Sequence, residues 1–141
     1  MPKSSQSAVP VIQTARLDRL VPYYRDALGF RLAQHIPGVV AMFTIGEAQL
    51  QLWQRNDCDE RSFCVVKLGR EVDVARLHAM LTRSAPEALM EARPTLQDWG
   101  SWEFGLVDPE GHQLVFEQWV PGEATPTAFT AARVRARRDW D

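Results

Sequence analysis

The chain has 141 residues, of which 45% are hydrophobic and 24% charged, and its formal net charge is −2 at pH 7. This length allows one compact core, or two small half-domains that share one core. No apolar run approaches the ~20 residues that a bilayer-spanning helix needs, and the polar start MPKSSQSA is not typical of a signal peptide. We therefore predict a cytoplasmic protein with a short flexible lead-in at residues 1–7.

Two cysteines and an arginine-rich end narrow the class of protein further. Cys58 and Cys64 are too few for a disulfide framework and do not have the spacing of a metal finger, so reduced thiols are expected. Residues 123–141 carry four arginines against three acids, which leaves 12 basic and 15 acidic residues in the rest of the chain. Because that body is mildly acidic, nucleic acid is not the expected partner, and the arginines are interpreted as a solvated face of a C-terminal helix.

The first half of the chain reads as a strand, a helix and three further strands. AVPVIQT, residues 8–14, is a strand whose Pro10 suits an edge or a bend. Apolar residues at helical spacing predict a helix of roughly ten residues from Leu17, which ends at Gly29. Strands are predicted at 30–36, 39–45 and 48–54, with turns at Pro37-Gly38 and Gly46-Glu47.

The second half repeats the same order. Residues 63–68 form a strand, 71–85 a helix, 89–94 a weak strand, and 102–108 and 112–120 clearer strands. The chain thus contains two βαβββ units with a period of about 60 residues. This internal repeat indicates an α+β fold in which the two halves have the same structure and pack together. We assign the first repeat to residues 8–57, a linker to 58–61, the second repeat to 62–122 and a basic helix to 123–141.

Polar and aromatic side chains alternate with apolar ones on the last strand of each repeat. Gln49, Gln51 and Trp53 share one face of the fourth strand. On the eighth strand, Glu117 and Trp119 share a face in the same way. Such faces on equivalent strands predict a cleft that both halves line, and the alternative is that they are simply exposed to solvent.

Two segments carry a resemblance to a known group of proteins. YYRDALGF and DPEGHQLVF, set in two βαβββ units, resemble the vicinal oxygen chelate superfamily, which includes glyoxalase I, extradiol dioxygenases, and fosfomycin and bleomycin resistance proteins. The resemblance covers residues 8–120, and SAVPVIQTARLDRLVPYYRDALGF and WGSWEFGLVDPEGHQLVF are most similar to the bleomycin resistance family, with one apparent extra residue between Gly100 and Glu103.

The resemblance also implies how the chain folds and how two chains assemble. Family members have a cupped mixed sheet with the helices outside, and the opening strand is exchanged between the two chains of a homodimer. Pro10 then stands near the crossover and is predicted to be the hinge of such an exchange. An ordinary edge strand in a monomer is the alternative.

The resemblance also locates the metal ligands of the superfamily's enzymes, which are His, Glu or Gln side chains. The matching positions here are Val9, Gln51, Phe63 or Cys64, and Val115. Valine has no lone pair to donate, and one or two uncertain ligands cannot hold a catalytic ion. His35, His78 and His112 fit no metal motif and are interpreted as surface or capping residues. We therefore predict no metal, no cofactor and no catalytic residue.

A pocket built from the remaining polar and aromatic residues suits a planar or cationic ligand, through stacking, cation–π contacts and charge complementarity. Trp102 and Glu103 point to opposite faces of a regular strand, so both enter one cleft only if a bulge lies beside Gly100. The predicted ligand-binding residues are Phe43, Gln49, Gln51, Trp53, Trp99, Trp102, Glu103 and Glu117, with Phe104 and Trp119 as further aromatic candidates.

Three functions remain open. The resemblance implies a metal-free protein that sequesters a small cationic molecule, such as a bleomycin-type antibiotic, in clefts at a homodimer interface. The alternative is a metal-dependent lyase, isomerase or dioxygenase of the same superfamily, with a displaced site that uses Gln51, Glu103, His112 and Glu117. The third is an accessory domain that uses its arginine-rich end as a partner helix.

Overall fold

The computed structural model describes residues 8–119. The predicted lead-in at 1–7 and the predicted C-terminal helix at 123–141 lie outside the described residues. The helices and strands are β1 (Val11–Thr14), α1 (Leu17–Pro22, continued by a π-helix at Tyr23–Ala27), β2 (Arg31–Ile36), β3 (Val40–Ile45), β4 (Ala48–Gln54), β5 (Phe63–Lys67), α2 (Val74–Ser84, followed by a 3₁₀ turn at Pro86–Ala88), β6 (Thr95–Leu96), β7 (Ser101–Val107) and β8 (Gln113–Trp119).

The strands form two four-stranded mixed sheets with the same topology, which confirms the predicted repeat. The orders are β1-β4-β3-β2 and β5-β8-β7-β6. In each sheet the first strand pairs parallel with the fourth, and the other neighbours are antiparallel. The fold is therefore α+β, as predicted. Within residues 8–119, no helix is long and apolar enough to span a membrane.

The first helix differs from the single regular helix that its apolar spacing predicts. It changes from α to π geometry directly after Pro22, and the amide of Leu28 donates to the carbonyl of Tyr23, five residues earlier, at 3.0 Å. Pro22 lacks an amide proton and cannot donate to the carbonyl of Asp18, and the wider turn begins immediately after it. Gly29 ends the segment with a φ of 73°, as expected for a helix stop.

The sixth strand also differs from its predicted position. It lies at Thr95–Leu96 instead of 89–94, where only Leu89 forms an isolated bridge, to Leu106. The Glu91 carboxylate, and not its backbone, accepts the amide of Gly105 at 2.8 Å. A strand that continued through 91–94 would need the Gly105 amide for a backbone hydrogen bond. Because the Glu91 side chain already accepts this amide, the strand does not extend there.

One hydrophobic core joins the two halves. Phe116 of β8 lies 5.8 Å from Phe30 of the first half and 5.2 Å from Phe104, measured between ring centroids. The hydroxyl of Tyr24 donates to the Asp108 carboxylate of the β7–β8 turn at 2.7 Å, and both side chains are buried. The two segments that carry the family resemblance are thus joined by this contact.

Candidate functional site

Each sheet packs one side against the core, and we call its other side the open face. On the open face of the second sheet, Ser101, Glu103 and Val115 are buried. Most large apolar side chains that remain exposed lie on the two open faces, and Phe63 is the most exposed of them at 56%. The two open faces adjoin where β1 contacts β5, because the Cys64 thiol lies 3.8 Å from the Val11 carbonyl while Ile12 and Cys64 both enter the shared core. The exposed apolar residues of the open face are Val11, Ile36, Trp53, Phe63, Val65, Val107 and Trp119.

Two carboxylates occupy directly opposite positions on the open face of the second sheet. Glu103 of β7 pairs in register with Glu117 of β8, and Lys67 of β5 pairs with Glu117 on the other side. Within residues 8–119, Lys67 and Glu117 do not approach closely enough to form an ion pair. We call Glu103 and Glu117 the acidic pair.

Indole groups flank the acidic pair. Glu103 is only 4% exposed, and its carboxylate accepts hydrogen bonds from the hydroxyl of Ser101 at 2.6 Å and from the indole of Trp99 at 3.3 Å. Glu117 is more exposed and accepts a hydrogen bond from the indole of Trp119, also at 3.3 Å. The structure therefore brings together Trp99, Glu103 and Glu117 of the predicted set, and adds Ser101, which lies two residues before Glu103 on the same face.

The first sheet has a neutral version of this arrangement. The indole of Trp53 donates to the side-chain oxygen of Gln51 at 2.8 Å, with the same two-residue spacing as Trp119 and Glu117. Gln49 lies on the same face and is exposed. The negative charge of the two equivalent strands is thus confined to the second half.

A cleft lies where the two halves meet. Its volume is about 400 Å³, and it is lined by Val9 and Pro10 before β1, Gln49 of β4, and Val65 and Lys67 of β5. Lys67 belongs both to this cleft and to the register row of Glu117. Lys67 was not among the predicted site residues, although its alternation with Val65 on β5 indicates that the two share a face.

Two predicted ligand-binding residues lie elsewhere. Phe43 is fully buried in the core, with its ring 5.6 Å from that of Tyr24. Trp102 packs against the core on the helix side of β7. The β7–β8 register runs without a shift, so there is no bulge beside Gly100, which instead adopts a φ of 101° in the β6–β7 turn. The prediction that Phe43 and Trp102 line the cleft is therefore wrong, because both lie on the core side of their sheets.

No protein-family model matches this chain. The chain is 21% identical to the bleomycin resistance protein of Geobacillus stearothermophilus over 128 residues, which covers 80% of this chain and 96% of that protein. It superposes on a crystal structure of a bleomycin-binding protein complexed with bleomycin with a TM-score of 0.64 and 23% identity, over 81% of this chain and 98% of that one. Lactoylglutathione lyase from Agrobacterium tumefaciens matches with a TM-score of 0.60 and 17% identity, over 83% and 96% of the two chains.

The chain therefore shares the fold of these bleomycin-binding and lyase structures. The resemblance to the vicinal oxygen chelate superfamily and to its bleomycin resistance proteins, predicted from the two motifs, is thereby confirmed.

Three of the positions that match the superfamily's metal ligands carry side chains that are hydrogen-bonded or buried. The side chain of Gln51 is hydrogen-bonded to Trp53, Val115 is buried, and Cys64 lies in the core, where burial raises the pKa of its thiol. Within residues 8–119, no group of three or more His, Cys, Asp or Glu side chains is arranged to hold a metal ion. These positions do not fit the divalent ion of the superfamily's enzymes.

Two of the three histidines, which were predicted to be surface or capping residues, are buried. Nδ1 of His112 accepts the amide of Ser62 at 2.9 Å, so this residue does cap a backbone group. His78 bonds to the Glu91 carbonyl at 2.9 Å and packs edge-on against Phe104. His35 is exposed, as predicted. Neither buried imidazole lies on the open face.

Proposed function

We propose that this protein binds a planar, cationic small molecule of the bleomycin type on its open face and releases it chemically unchanged. The observation that carries this proposal is the acidic pair, because like charges directly opposite each other on neighbouring strands cost on the order of 0.2–1 kcal/mol. A bound cation would offset that cost. The relative and the structural neighbour named for bleomycin support the ligand class.

The surroundings of the pair favour a flat cation over a simple ion. Trp119 is 40% exposed next to Glu117, and the exposed Phe63 and Val65 continue the apolar surface. Stacking and cation–π contacts each contribute about 0.5–2 kcal/mol when the groups are desolvated. The amide groups of Gln49 and Gln51 would supply neutral hydrogen bonds at the other end of the same ligand.

We also propose that the binding unit is a metal-free homodimer in the cytoplasm. The exposed apolar side chains of Val11, Ile36 and Trp53, on the open face of the first sheet, support a second copy beside the acidic pair, since such patches mark interaction sites. In the described chain, β1 pairs with β4 of the same chain, and the Pro10 carbonyl accepts the amide of Gln51 at 3.0 Å. Exchange of β1 about Pro10 between two chains stays a prediction. Free Cys58 and Cys64 are consistent with a reducing compartment.

The proposal is tested by calorimetric titration of the full chain with metal-free bleomycin. We expect saturable binding, and binding about tenfold weaker in Glu117→Gln, because a hydrogen bond to a charged group contributes about 1.5–3 kcal/mol. Glu60→Gln in the exposed linker is the matched control, since it removes the same charge at a position outside the strands of both sheets. It should bind as the wild type does.

Three results would contradict the proposal. The absence of saturable binding would exclude the ligand class, and equal affinities for Glu117→Gln and Glu60→Gln would exclude the acidic pair as its site. Elemental analysis after incubation with Ni, Mn, Fe and Zn tests the alternative that the protein is a metal-dependent enzyme. A stoichiometric metal content would favour a metal-dependent enzyme over a metal-free binding protein.

A further inference from the structure

We propose that the arginine-rich segment, residues 123–141, occupies the open face beside the acidic pair and competes there with the cationic ligand. The competition part of this inference rests on the proposed function, while the contact itself does not. The occupant is thus a segment of this chain. When it is bound at the site, it lowers the affinity of the site for the cationic ligand.

The sequence of the segment has the chemistry that the site requires. It carries four arginines within six positions, and two aromatic residues, Phe129 and Trp140, flank them. A guanidinium is a planar cation that bonds carboxylates in a bidentate manner and stacks on aromatic rings. It thus meets both requirements derived above for the ligand. The four arginines are Arg133, Arg135, Arg137 and Arg138.

Along the chain, the segment begins six positions after Glu117. The last described residue, Trp119, follows Glu117 by two positions and donates its indole proton to that carboxylate. Gln118 fixes this end of β8, because its side chain donates to the carbonyls of Gly69 and Val72 and accepts the amide of Val74. An extended chain spans about 3.3 Å per residue, so the arginines can return to Glu117 without strain.

Charge distinguishes the segment from a second copy as the occupant of the acidic pair. The rest of the chain has an excess of acids, with 12 basic and 15 acidic residues, whereas the segment has an excess of one positive charge. A second copy that covered Glu117 with its own open face would bring Glu103 and Glu117 against the same side chains. It would add like charges to a pair that already repels. The segment adds the opposite charge.

The contact is tested in the full chain by NMR of the tryptophan indole N–H groups. The variant replaces all four arginines of the segment by glutamine. We expect the indole resonances of Trp99 and Trp119 to move, because their N–H groups bond the acidic pair, while that of Trp102, on the helix side, stays in place. A control variant removes four arginines from the outer surfaces of the helices and should leave all three resonances unchanged: Arg19, Arg25, Arg76 and Arg83.

The competition is tested by titrating the same three proteins with metal-free bleomycin. A short tether gives an effective concentration on the order of 1 mM, so a segment with a dissociation constant of about 0.1 mM lowers ligand affinity about tenfold. The segment variant should therefore bind bleomycin about tenfold more tightly than the wild type and the helix-surface variant.

The outcomes separate this inference from the proposed function. If the indole resonances stay in place, the inference is overturned, whether or not bleomycin binds. Resonances that move only at high protein concentration indicate capture by a second copy, which also overturns it. If the resonances move but the segment variant and the wild type bind bleomycin with equal affinity, the contact is supported and the competition is overturned. Moving resonances without any bleomycin binding support the contact while the proposed function fails.

Discussion

Replacement of Tyr24 by phenylalanine is expected to lower the free energy of unfolding by about 2 kcal/mol. The Tyr24 hydroxyl donates to Oδ2 of Asp108 at 2.7 Å, and both side chains are buried at the junction of the two halves. A hydrogen bond to a charged group contributes about 1.5–3 kcal/mol, and the variant leaves the carboxylate buried with one donor fewer. Asp108 keeps the amides of Glu110 and His112 at 2.9 and 3.0 Å, so the loss should stay below the cost of an unpaired charge.

Urea denaturation followed by circular dichroism at pH 7 measures this change, provided that wild type and variant share one m-value. A loss of about 2 kcal/mol corresponds to a decrease in Tm of about 7 °C for a chain of this size. The neighbouring Tyr23 supplies the control, because its hydroxyl donates to Glu87 at 3.3 Å in an exposed position. Tyr23→Phe should change the stability by less than about 0.5 kcal/mol. Equal effects of the two substitutions would refute the reasoning.

The same hydrogen bond predicts a pH dependence. Burial, with Asp108 nearby, raises the pKa of Tyr24 well above its ordinary value of 10.0. In the unfolded chain Tyr24 loses its proton near pH 10, whereas in the folded chain it keeps it. The contribution is therefore complete below about pH 10 and falls as the pH rises above that value. Burial and Glu87 raise the pKa of Tyr23 to about 12, which acts in the same direction. Between about pH 10 and 11.5, Tyr24→Phe should lose less stability than the wild type, and parallel losses would exclude this assignment.

Two further substitutions test the attachment of β8 and the assignment of faces. Gln118→Ala removes the hydrogen bonds to the Gly69 carbonyl at 2.7 Å and from the Val74 amide at 3.0 Å, and should lower the free energy of unfolding by about 2–3 kcal/mol in urea; a loss below about 0.5 kcal/mol would show that water replaces these bonds. Trp119→Leu should weaken bleomycin binding about fivefold, because it removes an exposed stacking surface. Trp102→Leu should lower stability but leave the affinity within about twofold, and the reverse ranking would place the ligand on the helix side.

Local patterns in the sequence were sufficient for the repeat and for most of its strands. β3, β4 and β8 lie within a residue of their predicted positions at each end, because their apolar alternation and the glycines of their turns are local signals. The site was partly predictable for the same reason. The positions of Gln51 with Trp53 and Glu117 with Trp119 follow from a period of two along a strand, and the structure joins each of these pairs by a hydrogen bond.

What the sequence by itself determined is thus the order of the elements and which residues share a face of one strand. Only the tertiary structure decided which face packs against the helices, because that depends on register with strands distant in the chain and on where the helices lie. Phe43 and Trp102 therefore lie on the helix side, and Glu103 lies opposite Glu117. The short β6 belongs to the same class, since the Glu91 carboxylate binds the Gly105 amide, a contact that no local pattern shows.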